Sequence, residues 1–351
     1  MTYKLPDIRN ADVQEKSVFA RFDLDVPIKD GQIQDDTRLK NCLETFEFLL
    51  KNRAKLIIAG HLGRPEKDDR SFSLRPVGEW FRKQLEVHDV LKDSKRNDFE
   101  GFEITEDIFL LENLRFYKGE EENDQNFADK LSKLSELYVN EAFASSHRDH
   151  ASIVSVPKFL PHFAGIRFQS EVLALSKVLE DPKRPLVVII GGAKIDTKLP
   201  LISKMHKIAD YILVGGEIVE QDKILNKITT EDIKGEKAII ILADLNSTEK
   251  DISLKSLENF LQIIDIAKTI VWNGPLGFIE DLKLSEESAT KKIAEEILKT
   301  NAYSVVGGGD TISFLRKFGL VSKFSFVSTG GGAMLAFLSG EKFEGLEALL
   351  K

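Results

Sequence analysis

The sequence predicts an α/β fold of two domains with mainly parallel sheets, and three observations carry that reading. Short β-branched and aliphatic runs without alternation, such as LVVII and IIIL, suit strands buried on both faces. Amphipathic helical stretches separate them, the rhythm of a sheet covered by helices. At 351 residues the chain is long enough for about two cores of ordinary size.

Strands are expected at 18–22, 55–59, 108–111, 138–139, 186–190, 211–214, 238–242, 269–272, 303–306 and 324–327. In TRLKNCLETFEFLLKN the apolar residues Leu39, Leu43, Phe46 and Leu50 recur at helical spacing. A helix is expected from about Arg75, with Ser73 as its cap and Pro76 in its first turn, where a missing amide proton costs little. Lys29-Asp30-Gly31 is a turn signal that places a hairpin after the opening motif. A domain boundary is expected near SEVLALSKVLEDPKRP, where a helical pattern stops and a new strand series begins.

Composition narrows the function classes. The chain is 42% apolar and 30% charged, as soluble globular proteins are. Its apolar runs are too short to cross a bilayer, and the N-terminal stretch MTYKLPDIRN lacks the apolar core of a secretory signal. Cys42 is the only cysteine, so no intramolecular disulfide can form and a reducing cytoplasm is the expected location. A net charge of -8 argues against nucleic acid as a partner, while leaving local basic clusters free to bind small anions.

The two halves differ in chemistry. In the first, Arg38, His61 and Arg64 of GHLGRP, Arg115 and Arg148 fall at or near strand ends, where ligands gather in α/β sheets. Taken singly, each arginine reads as a surface or ion-paired group. Together they read as a cradle for a phosphorylated acid, since guanidinium groups grip phosphate and carboxylate through paired hydrogen bonds. His147 and His150 form an H-x-x-H pair without a third ligand nearby, so metal is the weaker reading there. Asp23-Leu24-Asp25 has the form of a metal pair but lies in this arginine-collecting half.

The second half places glycines at its strand ends: Gly191-Gly192, Gly215-Gly216, Gly274, 307–309 and 330–332. Triple glycine at two strand ends is costly in chain entropy unless something must approach the backbone, and phosphate is the natural candidate. GGAKIDTK is expected to open a helix with Lys194 and Lys198 one turn apart on one face; it matches neither G-x-x-x-x-G-K-[ST] nor G-x-G-x-x-G. Asp310 is placed to hold a magnesium ion bridging nucleotide phosphates, and WNGPLGFIE to supply a turn and a carboxylate for ribose.

Taken in order, RFDLDVP, DDTR, HLGRP, LLENLRF, YVNEAF with SHRDHAS, GGAKIDTK, TIVWNGPLG, VVGGGDT and STGGGA resemble the phosphoglycerate kinase family nearly end to end. The resemblance implies two Rossmann-like domains separated by a cleft and joined by a hinge helix. The implied divisions are 1–166 for the 3-phosphoglycerate domain, 167–184 for the hinge, 185–332 for the Mg-nucleotide domain, and 333–351 for a segment returning to the first domain. It places Asp23, Leu24, Asp25, Arg38, His61, Leu62, Gly63, Arg64, Arg115 and Arg148 on the family's triose positions. Gly192, Lys194, Lys198, Gly216, Asn273, Pro275, Glu280, Gly308, Gly309, Asp310 and Thr311 fall on its nucleotide positions. The implied reaction is reversible phosphoryl transfer from 1,3-bisphosphoglycerate to ADP, with Mg2+ on Asp310 and a monomeric, cytoplasmic enzyme of glycolysis. Arg38, Lys198 and the amides of Gly331 and Gly332 would carry the catalytic positive charge.

Several residues depart from the family pattern. Asp25 stands where asparagine is expected, Glu141 and Ala144 where aspartate and glycine are, Glu217 where a third glycine is, and Asp196-Thr197 where Ser-Asp is. The helix start at Asp251 reads DISL instead of DIGP. An ionised Asp25 beside an anionic substrate removes a donor and adds repulsion. A lapsed homologue kept for binding or scaffolding is the rival reading, and an enzyme for another small acid is a third; the joint presence of Arg38, Lys198 and Asp310 favours catalysis.

Overall fold

The computed structural model describes residues 3–350 apart from 67–68, 194–196, 217–237, 278 and 280–286. They fall into two compact units, Tyr3–Val172 together with the segment from Phe343 onward, and Leu173–Lys342. No helix among the described residues is long and apolar enough to cross a membrane.

The first unit contains β1 (Ser17–Arg21), the hairpin of β2 (Ile28–Lys29) and β3 (Gln32–Ile33), β4 (Lys55–Ala59), β5 (Lys92–Arg96), β6 (Phe99–Thr105), β7 (Ile108–Leu111), β8 (Leu137–Asn140) and β9 (His162–Ala164). The sheet order is β5-β6-β7-β4-β1-β8-β9, with only the β5-β6 and β6-β7 pairs antiparallel. Arg21 pairs with Ala59 on one side and Asn140 on the other, so β1, β4 and β8 end at one level. Three consecutive loops therefore open onto the same edge. Asp30 and Gly31 both have positive φ in the hairpin, as a tight two-residue turn requires.

The strands β5, β6 and β9 were not expected. β5 reads KDSKR, a charged edge strand with no apolar signature, and β9 has three residues. The helix Thr37–Lys51 buries Leu39, Cys42, Phe46 and Leu49 against the sheet, while Leu43 and Leu50 are only partly covered. Phe46 meets Phe81 and Phe22 at ring-centroid distances of 5.1 and 6.5 Å. At the helix Arg75–Gln84 the cap position falls on Leu74, one residue later than expected, and Ser73 Oγ still accepts from the Arg75 amide at 3.2 Å.

The second unit contains β10 (Leu186–Ile190), β11 (Tyr211–Val214), β12 (Ile239–Leu242), β13 (Thr269–Asn273), β14 (Tyr303–Gly307) and β15 (Phe326–Ser328), in the order β12-β11-β10-β13-β14-β15. Every pair is parallel, and Ile190, Asn273, Gly307 and Ser328 stand in register at the carboxyl ends. The glycine clusters begin at that edge.

Helix Ile166–Glu180 carries the chain from one unit to the other, the division falling after Val172. The return to the first unit starts later than 333. Helix Gly332–Ser339 is apolar on nearly every side, packs on the helix Leu199–Met205, and stays with the second unit. The return begins at Phe343, whose ring lies 5.0 Å from that of Phe143; the Gly345 amide donates to Ser146 O at 2.8 Å, and Leu346 and Leu349 are buried. Replacing Phe343 by alanine is expected to cost about 3–5 kcal/mol of stability, read from urea denaturation. A loss under about 1 kcal/mol would show that this terminal segment is not part of the first unit's core.

Candidate functional site

The first unit gathers its charged groups beyond the carboxyl ends of β7, β4, β1 and β8, which are neighbours in the sheet. Asp23, Leu24 and Asp25 follow β1; His61, Leu62, Gly63 and Arg64 follow β4; Arg115 follows β7 and Arg148 follows β8. Arg38 enters from the first turn of the helix Thr37–Lys51. Its Nη1 donates to the Asp25 carbonyl at 2.8 Å, lies 3.4 Å from Asp25 Oδ2, and stands 3.7 Å from Asp23 Oδ1. Asp25 Oδ1 accepts from the Gly63 amide at 2.9 Å, so the carboxylate that replaces the expected amide ties three elements together.

Arg115 donates through Nη1 to the Gly63 carbonyl and places Nε 3.1 Å from Glu121. Asn113, just before it, pins the loop by donating to Leu62 O at 2.8 Å and accepting from Leu62 N at 3.3 Å. Leu24 and Leu62 are buried and serve as packing under the loops. Arg148 Nη1 reaches within 3.4 Å of His61 Nε2. Arg64 is exposed and adds to the positive potential at Arg148.

Burial and neighbouring charge set the electrostatics of this edge. Burial holds the Arg115 guanidinium below its usual pKa, with Arg148 adding to the effect; burial does the same at Arg148, where Asp25 opposes the shift and Arg64 reinforces it. The facing Asp23 carboxylate raises Arg38. Burial pushes the Asp23 carboxyl up, opposed by Arg38. Asp23 Oδ1 is inaccessible and accepts no hydrogen bond.

The histidine pair has a structural setting. His150 is buried 3.8 Å from Glu120 Oε1, and burial, reinforced by Arg21, lowers its pKa to about 3. Arg21, Ser152 and Glu120, all fully buried beneath the site, were missed from the sequence. Only an arginine at the end of an otherwise apolar strand could have signalled the first of them.

In the second unit, Lys198 is nearly buried and donates through Nζ to Asn273 Oδ1 at the end of β13. Burial lowers its pKa to about 8, and Asp310 partly opposes the shift. The helix begins at Leu199, so Lys198 occupies the cap position and is not on a helical face; Pro200, which lacks an amide proton, suits the first turn instead. Lys194 and Glu280 lie outside the described residues, as do Asp196 and Glu217.

Gly191 and Gly274 approach so closely that a Cβ on either would strike the other strand's backbone carbonyl. Gly274 N donates to Thr311 Oγ1 at 3.1 Å, and Gly192 N to Pro275 O at 2.7 Å. Gly308, with φ of +97°, turns the chain beside the Asn273 amide, and Gly309 and Asp310 start the next helix. A cavity of about 330 Å³ opens here, lined by Gly192, Gly216, Pro275 and Asp310 among the expected residues and by Leu245, Asp251, Leu276 and Ile279 among those not expected. The apolar three, Leu245, Leu276 and Ile279, follow β12 and β13, and hydrophobicity alone does not separate such positions from core. Gly331 and Gly332 follow β15 and do not line the cavity.

No cluster of three or more metal-ligating side chains exists among the described residues. One exposed carboxylate, Asp310, beside a phosphate-sized glycine turn fits a magnesium ion that arrives with a nucleotide, since Mg2+ usually keeps its waters and takes one or two carboxylates.

Comparison with known proteins agrees with this geometry. The family model described as "Phosphoglycerate kinase" matches residues 8–234 and 219–341. Among curated relatives, the phosphoglycerate kinases of Dictyoglomus turgidum and of Finegoldia magna are each 36% identical, covering 98% and 97% of this chain and 98% of each relative. Among solved structures, phosphoglycerate kinase from Coxiella burnetii aligns with a TM-score of 0.81 at 30% identity over 99% of both chains. That from Pyrococcus horikoshii aligns with a TM-score of 0.81 at 28% identity, over 99% of this chain and 98% of the other. The chain belongs to the phosphoglycerate kinase family.

Proposed function

We propose that the protein catalyses reversible phosphoryl transfer between 1,3-bisphosphoglycerate and ADP, giving 3-phosphoglycerate and ATP. The observation that carries this reading is the convergence of Arg38, His61, Arg115 and Arg148 on one sheet edge, from four separate segments. Such an edge suits an acid bearing both a carboxylate and a phosphate. In this reading the Asp23 carboxylate, which keeps a small exposed area, accepts from the substrate hydroxyl, and Arg64 serves the phosphate from the rim.

On the second unit, Gly192, Gly216 and Pro275 border the nucleotide, while Gly308, Gly309 and Thr311 turn the chain around its phosphates. Asp310 would hold magnesium, which when bound neutralises charge between the phosphates. The attacking group is already a carboxylate or phosphate anion, so no general base is needed. Arg38, Lys198 and the Gly331 and Gly332 amides meet the charge spread over the transferred group's oxygens. The two reactants are assigned to different units, and helix Ile166–Glu180, which carries the chain from one to the other, is the hinge we assign. A monomer in the cytoplasm is the form we assign.

A coupled assay with 3-phosphoglycerate, ATP and magnesium tests the reading. Lys198→Ala and Arg38→Ala are each expected to lower kcat by about 10²–10³-fold. Wild-type inactivity would sink the assignment. Asp25→Asn is expected to lower the KM for 3-phosphoglycerate several-fold, because it removes a negative charge beside an anion while Oδ1 still accepts from Gly63; equal Michaelis constants would exclude that repulsion. Nucleotide phosphates favour the charged Lys198, whose free pKa is about 8. MgADP affinity measured by calorimetry should therefore fall as pH rises past that value, approaching about tenfold per pH unit, and the fall should vanish in Lys198→Met.

A further inference from the structure

Beneath the basic edge lies a fully buried chain of hydrogen bonds that the reaction as described does not use. Arg21 Nε donates to Ser152 Oγ at 2.8 Å, Nη1 donates to the Phe22 carbonyl, and Nη2 lies 2.9 Å from His61 Nδ1. Ser152 in turn donates through Oγ to Glu120 Oε1 at 2.6 Å and through its amide to Oε2 at 3.0 Å. We propose that Arg21, Ser152 and Glu120 are positioning residues that hold His61 as its Nε2–H tautomer, so that a neutral imidazole offers one N–H to an oxygen of the acid substrate. The proposal rests on the triose-acid reading of the first unit.

The direction of every bond follows from what each group can do. Guanidinium groups, which only donate, face both ring nitrogens, Arg21 Nη2 at 2.9 Å from Nδ1 and Arg148 Nη1 at 3.4 Å from Nε2; a neutral ring accepts at one of them, and the shorter contact, from the fully buried Arg21, assigns the acceptor to Nδ1. Ser152 has one hydroxyl proton, and the carboxylate of Glu120 takes it, leaving the hydroxyl oxygen to accept from Arg21. A neutral imidazole whose Nδ1 accepts carries its proton on Nε2. Arg148 Nη1 at 3.4 Å is a donor that competes for Nε2 and cannot accept its proton, and Asp25 Oδ2 is 4.0 Å away, so an acid oxygen between the two would accept from both Arg148 and the Nε2–H. The donor is thus left for a ligand.

The groups facing His61 come from four elements: Arg21 from β1, Asp25 beyond it, Arg115 after β7, and Arg148 with His150 after β8. Burial first, and then Arg21, Arg115, Arg148 and His150, hold the imidazole well below its ordinary pKa. A neutral donor adds a hydrogen bond where a further cation would be repelled by three guanidinium groups. Glu120 balances the buried charge of Arg21 through Ser152. A glutamine there would turn one NH2 donor against a Ser152 donor and break the chain.

The test reads the imidazole nitrogens of His61 by proton–nitrogen correlation NMR on the full-length protein without ligands, from about pH 5.5 to 8.5. The wild type is expected to show the Nε2–H tautomer with no titration. Arg21→Lys, which cannot span three acceptors, and Glu120→Gln are expected to show mixed tautomers or a titration midpoint within that range. Ser152→Ala, the mildest of the three, serves if the others fail to fold. In the same variants the KM for 3-phosphoglycerate should rise about tenfold while that for MgATP holds, a loss of one substrate hydrogen bond. An Nδ1–H or protonated His61 in the wild type, or an unchanged tautomer in the folded variants, overturns the proposal; so does a shifted tautomer with an unchanged KM. If the wild type does not bind 3-phosphoglycerate by calorimetry, the substrate reading falls instead, and the spectra still decide the tautomer.

Discussion

The parallel pairing of β1 with β4 and β8 governs what the first unit can do. Strands buried on both faces have no room for charge along their length, so polar function is confined to the loops that leave them. Because Arg21, Ala59 and Asn140 stand level, those loops leave at one height and their side chains compete for the same few cubic ångströms. Arg38 then faces Asp23 and Asp25 at 3.7 and 3.4 Å, with His61 4.0 Å from Asp25 and Arg148 beside His61. The second unit obeys the same rule with a different chemistry. Its strand ends carry glycine, so on the proposed reading attraction for phosphate would come from backbone amides and from Lys198, held against Asn273.

The two solutions have different electrostatic costs. In the first unit, cations are partly desolvated and held apart by Asp23, Asp25 and main-chain carbonyls, an arrangement built before any ligand arrives. Such a site loses little when substrate enters, because its side chains are already fixed. In the second, one partly desolvated ammonium donates to Asn273 and, among the described residues, has its shift opposed by Asp310. Asp25 shows how a single departure can be absorbed: the extra carboxylate accepts from Gly63 and lies near Arg38, both of them neighbours that the fold had already placed there.

Most of the sheet was legible in the sequence because burial on both faces leaves an uninterrupted apolar run. Where that pressure is absent the reading failed, as at β5, whose KDSKR looks like a loop, and at the three-residue β9. The candidate site was legible where charge sat in loops or at a helix start, at His61, Arg115, Arg148 and Arg38. It was illegible where charge sat inside. Arg21 closes an apolar strand and reads as its boundary, and Glu120 stands in KGEEEND, an acidic run that looks solvated. Lys198 was found for its charge but misplaced by geometry, since the helix waits for Leu199 and Pro200.

The docking of Phe343, Leu346 and Leu349 into the first unit makes that unit discontinuous along the chain. During synthesis its sheet emerges early, while the ring that packs on Phe143 emerges only after the residues of the second unit. The first unit must therefore wait, with an apolar face uncovered, until the second has been made. Completion of the first unit becomes a check that the second has been synthesised.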